Sequence, residues 1–280
     1  MRFELSCPLR RGIFFCFILG VRLAGLAALQ ITRLSVPPCI QSGSQESVVL
    51  DCEYNLTEKD KSMVVKWFLN NDPEPIYQWI PELNSRHFSY RLEGRVNMKY
   101  TVSPSDDYTK YRAIKILRPT IDLSGLYTCT VGSLSGSDSK EKLMIVYSPP
   151  TVFTLNSTCI SGEKERLSCQ AEGVFPLPHL AMYEVTSPAR PRELAANSFD
   201  SEIQTITGAY NVEISRELTM EDLRGKEPKV FKCVLSIPGT KYQAERSVVY
   251  YPAATDGHNV PVYVNVTLLA TCLLVLNLLL

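Results

Sequence analysis

Histidine is scarce in this sequence. His87, His179 and His258 are the three in 280 residues, and no two of them stand at a metal-ligand spacing. That leaves little of the side chain most used as a general base and as a nitrogen ligand. No G-x-S-x-G elbow, H-E-x-x-H pair or phosphate loop occurs either. These absences predict a protein that is not an enzyme and that holds no cofactor and no metal. His179, in a proline-rich turn, reads as a solvated loop residue, and Asp106-Asp107 as a polar loop tip rather than a cation site. An excess of charge of either sign is missing too. Lys and Arg total 29 against 29 for Asp and Glu, so nothing in the balance points to nucleic acid as a partner or to electrostatic capture of an anionic surface.

Long apolar runs sit at the two ends. Arg10 and Arg11 precede a short apolar run from Gly12 to Val21, Arg22 interrupts it, and the small residues from Ala24 to Ala28 offer cleavage sites. That pattern predicts a removable signal peptide over 1–28. At the other end 260–280 is almost entirely apolar with no Lys or Arg after it, and a short stalk at 252–259 holds Ala253, Ala254, Thr255, Asp256 and Gly257. Roughly 20 apolar residues can cross a bilayer, but a span normally carries a basic cytoplasmic flank. Two readings stay open: a signal for a glycolipid (GPI) anchor, which the missing basic flank favours, or a single C-terminal membrane span. Both place the protein on the extracellular face of the plasma membrane.

The cysteines divide the same way. Of nine, Cys7, Cys16 and Cys272 fall in the terminal segments, which leaves Cys39, Cys52, Cys129, Cys159, Cys169 and Cys233. An even number in an exported chain implies disulfides. The sequons Asn55-Leu-Thr57 and Asn156-Ser-Thr158 predict N-glycosylation at Asn55 and Asn156. Asn265-Val-Thr267 also matches but lies in the apolar tail.

Between the ends, short β-rich runs alternate with turn residues. Apolar and polar side chains alternate over 47–54, 63–69, 111–117 and 142–147, as in half-buried strands. No long segment there has helical periodicity. Many short strands with regular turn signals predict an all-β sandwich architecture. Pro149-Pro150 cannot continue a ladder, so the chain divides into one domain at 29–147 and a second at 148–251. In the first, Cys52, then Trp67, then Cys129 repeat the immunoglobulin order, in which an indole covers a disulfide between two sheets. In Asp122-Leu-Ser-Gly-Leu-Tyr-Thr-Cys129, Tyr127 suits the tyrosine corner. Leu123 stands where many variable-type domains have an Asp, which puts the usual ion pair with Arg95 in doubt. The Cys-to-Cys interval of 77 residues leaves room for extra strands and indicates the variable type.

The second domain repeats the scheme with an interval of 64, as in constant-type domains. Met182 stands in place of Trp, and Phe231 takes the corner position. The predicted fold is therefore two tandem immunoglobulin-like sandwiches, bridged by Cys52–Cys129 and Cys169–Cys233. Cys39 and Cys159 have no partner in this scheme. They pair with each other across the junction, pair between molecules, or stay reduced; a direct bridge needs Cα atoms within about 7 Å.

The stretches Cys52-Glu-Tyr54, Val64-Val-Lys-Trp-Phe68, Pro75-Ile-Tyr-Gln-Trp-Ile-Pro81 and Leu123-Ser-Gly-Leu-Tyr-Thr-Cys129 resemble the first domain of the insect Beaten path proteins. The resemblance covers about 100 residues of that domain, and the second domain lacks the Trp expected of the family. It implies a neuronal surface protein, a part in axon guidance, and a Sidestep-like receptor as partner. Nectins and other two-domain adhesion proteins share the generic pattern.

Strand alternation also locates a binding surface. With Trp67 inward, Met63, Val65 and Leu69 follow it, and Val64, Lys66 and Phe68 face out. Thr128 and Thr130 flank Cys129 on the same outer side, and Tyr77 and Trp79 either join this surface or cover the core edge. An exposed aromatic amid Lys and Thr has the composition of a protein-binding hot spot. The expected function is cell-surface recognition or adhesion through domain one toward another extracellular protein. The alternatives are an immune or pattern-recognition receptor, and a passive spacer or decoy.

Overall fold

Alternating burial builds the first sandwich. The computed structural model describes residues 29–161, 164–185, 191–225, 227–251 and 262–265. Nine strands come first: β1 (Gln30–Ser35), β2 (Cys39–Gln41), β3 (Ser47–Asn55), β4 (Val64–Leu69), β5 (Tyr77–Ile80), β6 (Ser85–Phe88), β7 (Ile114–Leu117), β8 (Gly125–Ser133) and β9 (Gly136–Tyr147). They form a three-stranded sheet in the order β1-β3-β7 and a six-stranded sheet in the order β2-β9-β8-β4-β5-β6. In β3 the residues Val48, Leu50, Cys52 and Tyr54 point inward, and in β4 Val65, Trp67 and Leu69 do. β2 runs parallel to β9, and β5 and β6 are the extra pair that the long Cys-to-Cys interval leaves room for. Trp67 lies opposite Cys129 and is fully buried. Each aliphatic side chain so buried contributes roughly 1.5–3 kcal/mol.

Two strands have other bounds than the alternation suggests. β7 starts at Ile114 rather than at residue 111, because 106–113 is taken up by turns that Asp106 organises through Tyr108 N (2.9 Å) and Thr109 Oγ1 (2.6 Å). β9 begins at Gly136, well before residue 142, because it closes a tight hairpin with β8.

The second sandwich comprises β10 (Val152–Ser161), β11 (Lys164–Val174), β12 (His179–Val185), β13 (Arg192–Leu194), β14 (Ser198–Ile203), β15 (Tyr210–Thr219), β16 (Lys229–Ser236), β17 (Gln243–Tyr251) and β18 (Val262–Asn265). One sheet has the order β10-β11-β15-β14 and the other β13-β12-β16-β17-β18. A single turn of helix, α1 (Met220–Leu223), starts at a capping box in which Thr219 and Asp222 satisfy each other's backbone N–H. Met182 lies opposite Cys233 and is buried there, and Phe231 is buried at the corner. His179, expected in a loop, opens β12 and is exposed.

The sandwiches meet where β9 ends. Ser148 and Phe175 exchange backbone hydrogen bonds of 2.9 and 3.0 Å. The Tyr147 ring lies 6.0 Å from that of Tyr242. Gly239 allows a close approach: a Cβ there would come within 2.2 Å of Ile145 Cδ1. Of the apolar tail, 262–265 forms β18, which extends the β17 edge. The expected signal peptide and stalk, and the rest of the anchor signal or span, lie outside the described residues. Among the described residues no helix is long and apolar enough to cross a membrane.

Candidate partner-binding face

Register assembles the outer face of the six-stranded sheet. Residues directly opposite in a ladder share a side of the sheet. Phe68 pairs with Thr128, and Thr128 with Glu141. Lys66 pairs with Thr130 on one flank and Gln78 on the other, while Thr130 faces Ser139. Val64 sits one step further along, opposite Gly132. Val64, Lys66, Phe68, Thr128 and Thr130 are thus on one surface, each half-buried. Within it Thr130 Oγ1 and Ser139 Oγ are 3.1 Å apart. Leu126 and Leu143 pair in the row next to Phe68, and Leu143 is 52% exposed. Sequence reasoning passed over these two leucines. Counting outward from inward-facing Tyr127 finds Leu126, but Leu143 requires the β8–β9 register.

Tyr77 and Trp79 do not belong to this face. β5 pairs Tyr77 with Trp67 and Trp79 with Val65, so both rings must follow those residues inward. They are 0% and 1% exposed. The Tyr77 hydroxyl donates to Tyr111 O (2.7 Å), and burial pushes its pKa up to about 12. Trp79 meets Tyr111 edge-on at 5.8 Å, and the Arg86 guanidinium lies 4.1 Å from the Tyr111 ring centre. Gln78 and Ile80 take the outer positions of β5. Of the three aromatics expected on the face, Phe68 alone points outward.

The ends of the face are held by two carboxylates. Asp60 accepts from Ser135 and from Ser133 (2.7 Å), and from Thr57 N (2.7 Å), which ties the loop before β4 to the β8–β9 hairpin. These hydrogen bonds, Ser135 first, hold its carboxyl well below the usual range against some desolvation. At the opposite end the ion pair placed in doubt by Leu123 is present: Asp122, one position earlier, binds Arg95 at 2.7 Å. Partial burial of Asp122 opposes ionisation, but hydrogen bonds from Arg95 and Thr120 outweigh it and lower its pKa. The tyrosine corner forms as well, Tyr127 donating to Leu123 O at 2.7 Å.

Cys52–Cys129 and Cys169–Cys233 are the intersheet bridges. Cys39 is a free, half-buried thiol on β2, so the bridge from Cys39 to Cys159 is not made. Cys39 sits opposite Ile145 at the junction, whereas Cys159 lies seven residues along β10. At about 3.3 Å per residue that is roughly 23 Å from the strand's start, far beyond disulfide reach. Asn55 and Asn156 both have exposed side chains. Among the described residues no group of three or more His, Cys, Asp or Glu could hold a metal ion.

The chain is thus an all-β protein of two tandem immunoglobulin-like sandwiches. Human V-set and immunoglobulin domain-containing protein 4 is 23% identical to it over 239 residues, 80% of this chain and 58% of that protein. Mouse hemicentin-1 is 25% identical over 150 residues, 48% of this chain and 2% of that protein. The chain therefore spans less than two thirds of the length of the curated relatives it matches. Among solved structures, bovine butyrophilin aligns with a TM-score of 0.59 at 16% identity, over 78% of this chain and 96% of that one. No protein-family model matches the chain.

Proposed function

We propose that this chain is a cell-surface recognition protein that binds another extracellular protein through the outer face of β9, β8, β4 and β5. The observation that carries the reading is Phe68, an aromatic on the solvent side of a sheet, continued by Leu126 and half-exposed Leu143. An apolar centre rimmed by Lys66, Thr130, Ser139 and Glu141 has the anatomy of a hot spot inside a polar rim. The partner class follows from the likeness to immunoglobulin-domain proteins. The resemblance of the first domain to Beaten path proteins adds a Sidestep-like receptor and a neuronal role as the specific candidates.

Phe68→Asp and Leu143→Asp variants, tested against a panel of extracellular domains that includes Sidestep-type receptors, check this. Loss of an interaction seen with the wild type, with secretion unchanged, is expected of both. An interaction indifferent to both substitutions moves the site elsewhere. A chain that binds nothing in the panel leaves the spacer reading in its place.

A further inference from the structure

We infer that β14, at the open edge of the second sandwich, takes up an extended basic segment of a partner protein as an added strand. This site is separate from the face on the first domain and does not depend on it. Among the described residues β14 pairs with β15 on one side and is the last strand of its sheet. All six of its residues, Ser198–Ile203, are exposed.

The backbone phase can be read from the turn that follows. Gln204 N donates to Ala209 O at 2.8 Å, in register with Ile203 opposite Tyr210. Hydrogen-bonded and non-hydrogen-bonded pairs alternate along an antiparallel ladder. The N–H and C=O groups of Glu202 and Asp200 therefore bond β15, and those of Phe199, Ser201 and Ile203 point to the open edge. Exposed strand edges of this kind are templates for pairing. Natural edges are commonly blunted by charged side chains, Pro or a bulge; β14 carries Asp200 and Glu202 but no Lys or Pro, and runs in unbroken register with β15 over 198–203.

The side chains specify the occupant. Phe199, Ser201 and Ile203 lie on the core side, opposite Ile214, Val212 and Tyr210. Phe199 and Ile203 are nonetheless 52% and 55% exposed. On the outer side Asp200 stands directly opposite Glu213, and Glu202 opposite Asn211. They line a shallow groove of about 280 Å³ with Gln170. None of Asp200, Glu202 and Glu213 has a Lys or Arg within salt-bridge distance among the described residues. Like charges directly opposite are destabilising in a sheet, so this side calls for a cation. A second copy of β14 would set carboxylates beside carboxylates and is disfavoured. A strand alternating Lys or Arg with aliphatic residues satisfies backbone, apolar and acidic requirements together, in the manner of β-strand addition.

The test uses the purified full-length chain and a labelled ten-residue peptide alternating Lys or Arg with Val or Ile, read by fluorescence anisotropy. Binding is expected at low salt and should weaken as salt rises. Ser201→Pro removes an outward N–H that β15 does not use, and should weaken binding at least tenfold with the thermal midpoint unchanged. If that variant unfolds, the same peptide N-methylated at alternate residues takes its place and should fail to bind. Asp200→Lys with Glu202→Lys should shift preference to the acidic counterpart peptide. The inference is overturned if the basic peptide does not bind, if N-methylation leaves its affinity unchanged, or if the acidic peptide binds the wild type equally well. It is also overturned if the chain instead self-associates through this edge.

Discussion

Neighbouring aromatics of the front sheet separate core from surface residue by residue. Trp79 is buried against Tyr111, and its loss leaves a cavity the sandwich cannot fill by small shifts. Trp79→Ala should cost about 3–5 kcal/mol and impair secretion. Phe68→Ala, which removes a ring on the outer side, should leave the unfolding free energy within about 1 kcal/mol of wild type. Comparable losses for the two would place Phe68 in the core and end its role on the face. Asp60 supports a pH-dependent prediction. Its carboxyl is lowered in the folded state by Ser135, Ser133 and Thr57, so its contribution is present above the unfolded value of about 3.9 and is lost as pH falls toward the folded one. Urea midpoints measured from pH 7 down to about pH 2 should therefore fall more steeply in the wild type than in Asp60→Asn, which starts lower at neutral pH. Parallel curves would show that Asp60 does not bind its hydroxyl partners in solution.

At the scale of elements, what could be read in advance was whatever one strand contains by itself. Cys52, Trp67, Tyr127 and Cys129 carry their roles in local spacing, and β4 alternates as its own sequence dictates. The two intersheet disulfides apart, the register between strands was not legible. Nothing in Tyr77-Gln-Trp79 tells which parity faces inward until β5 is set in register with β4, and a one-residue slip would exchange the two faces. Leu143 is hidden for the same reason. Arg95 found its carboxylate at Asp122 because a turn can present either of two successive residues to a guanidinium on a long, flexible stem. That tie and the tyrosine corner secure the same turn unequally. The Arg95–Asp122 pair is partly exposed, and Asp122→Ala should cost no more than about 1 kcal/mol. Tyr127→Phe strands a buried carbonyl at Leu123 and should cost about 1–3 kcal/mol. Chemical denaturation of the two variants gives the order directly, and a larger loss for Asp122→Ala would reverse it.

The described residues hold two cores and a junction, and the sequence supplies a tryptophan reporter for the first core alone. Both tryptophans, Trp67 and Trp79, lie in the first core, whereas the second is built around Phe153, Met182 and Phe231. Tryptophan fluorescence therefore follows the first sandwich, and far-ultraviolet circular dichroism follows both. The Cys169–Cys233 bridge closes a separation of 64 residues in the second sandwich, so replacing both cysteines by Ala should cost that sandwich about 2–5 kcal/mol. The dichroism transition should then split or move to lower denaturant, with the tryptophan transition held near its wild-type midpoint. Among the described residues, contacts that could couple them include Tyr147 against Tyr242, Ile145 over Gly239, and the Ser148–Phe175 backbone pair. Interfaces between domains of one chain commonly resemble transient interfaces more than a continuous core. If the tryptophan transition moves as far as the dichroism, the junction transmits the full loss and the two sandwiches unfold as one unit. Adding Tyr147→Ala to the cysteine variant should then release the first sandwich from the second, which locates the coupling at that ring.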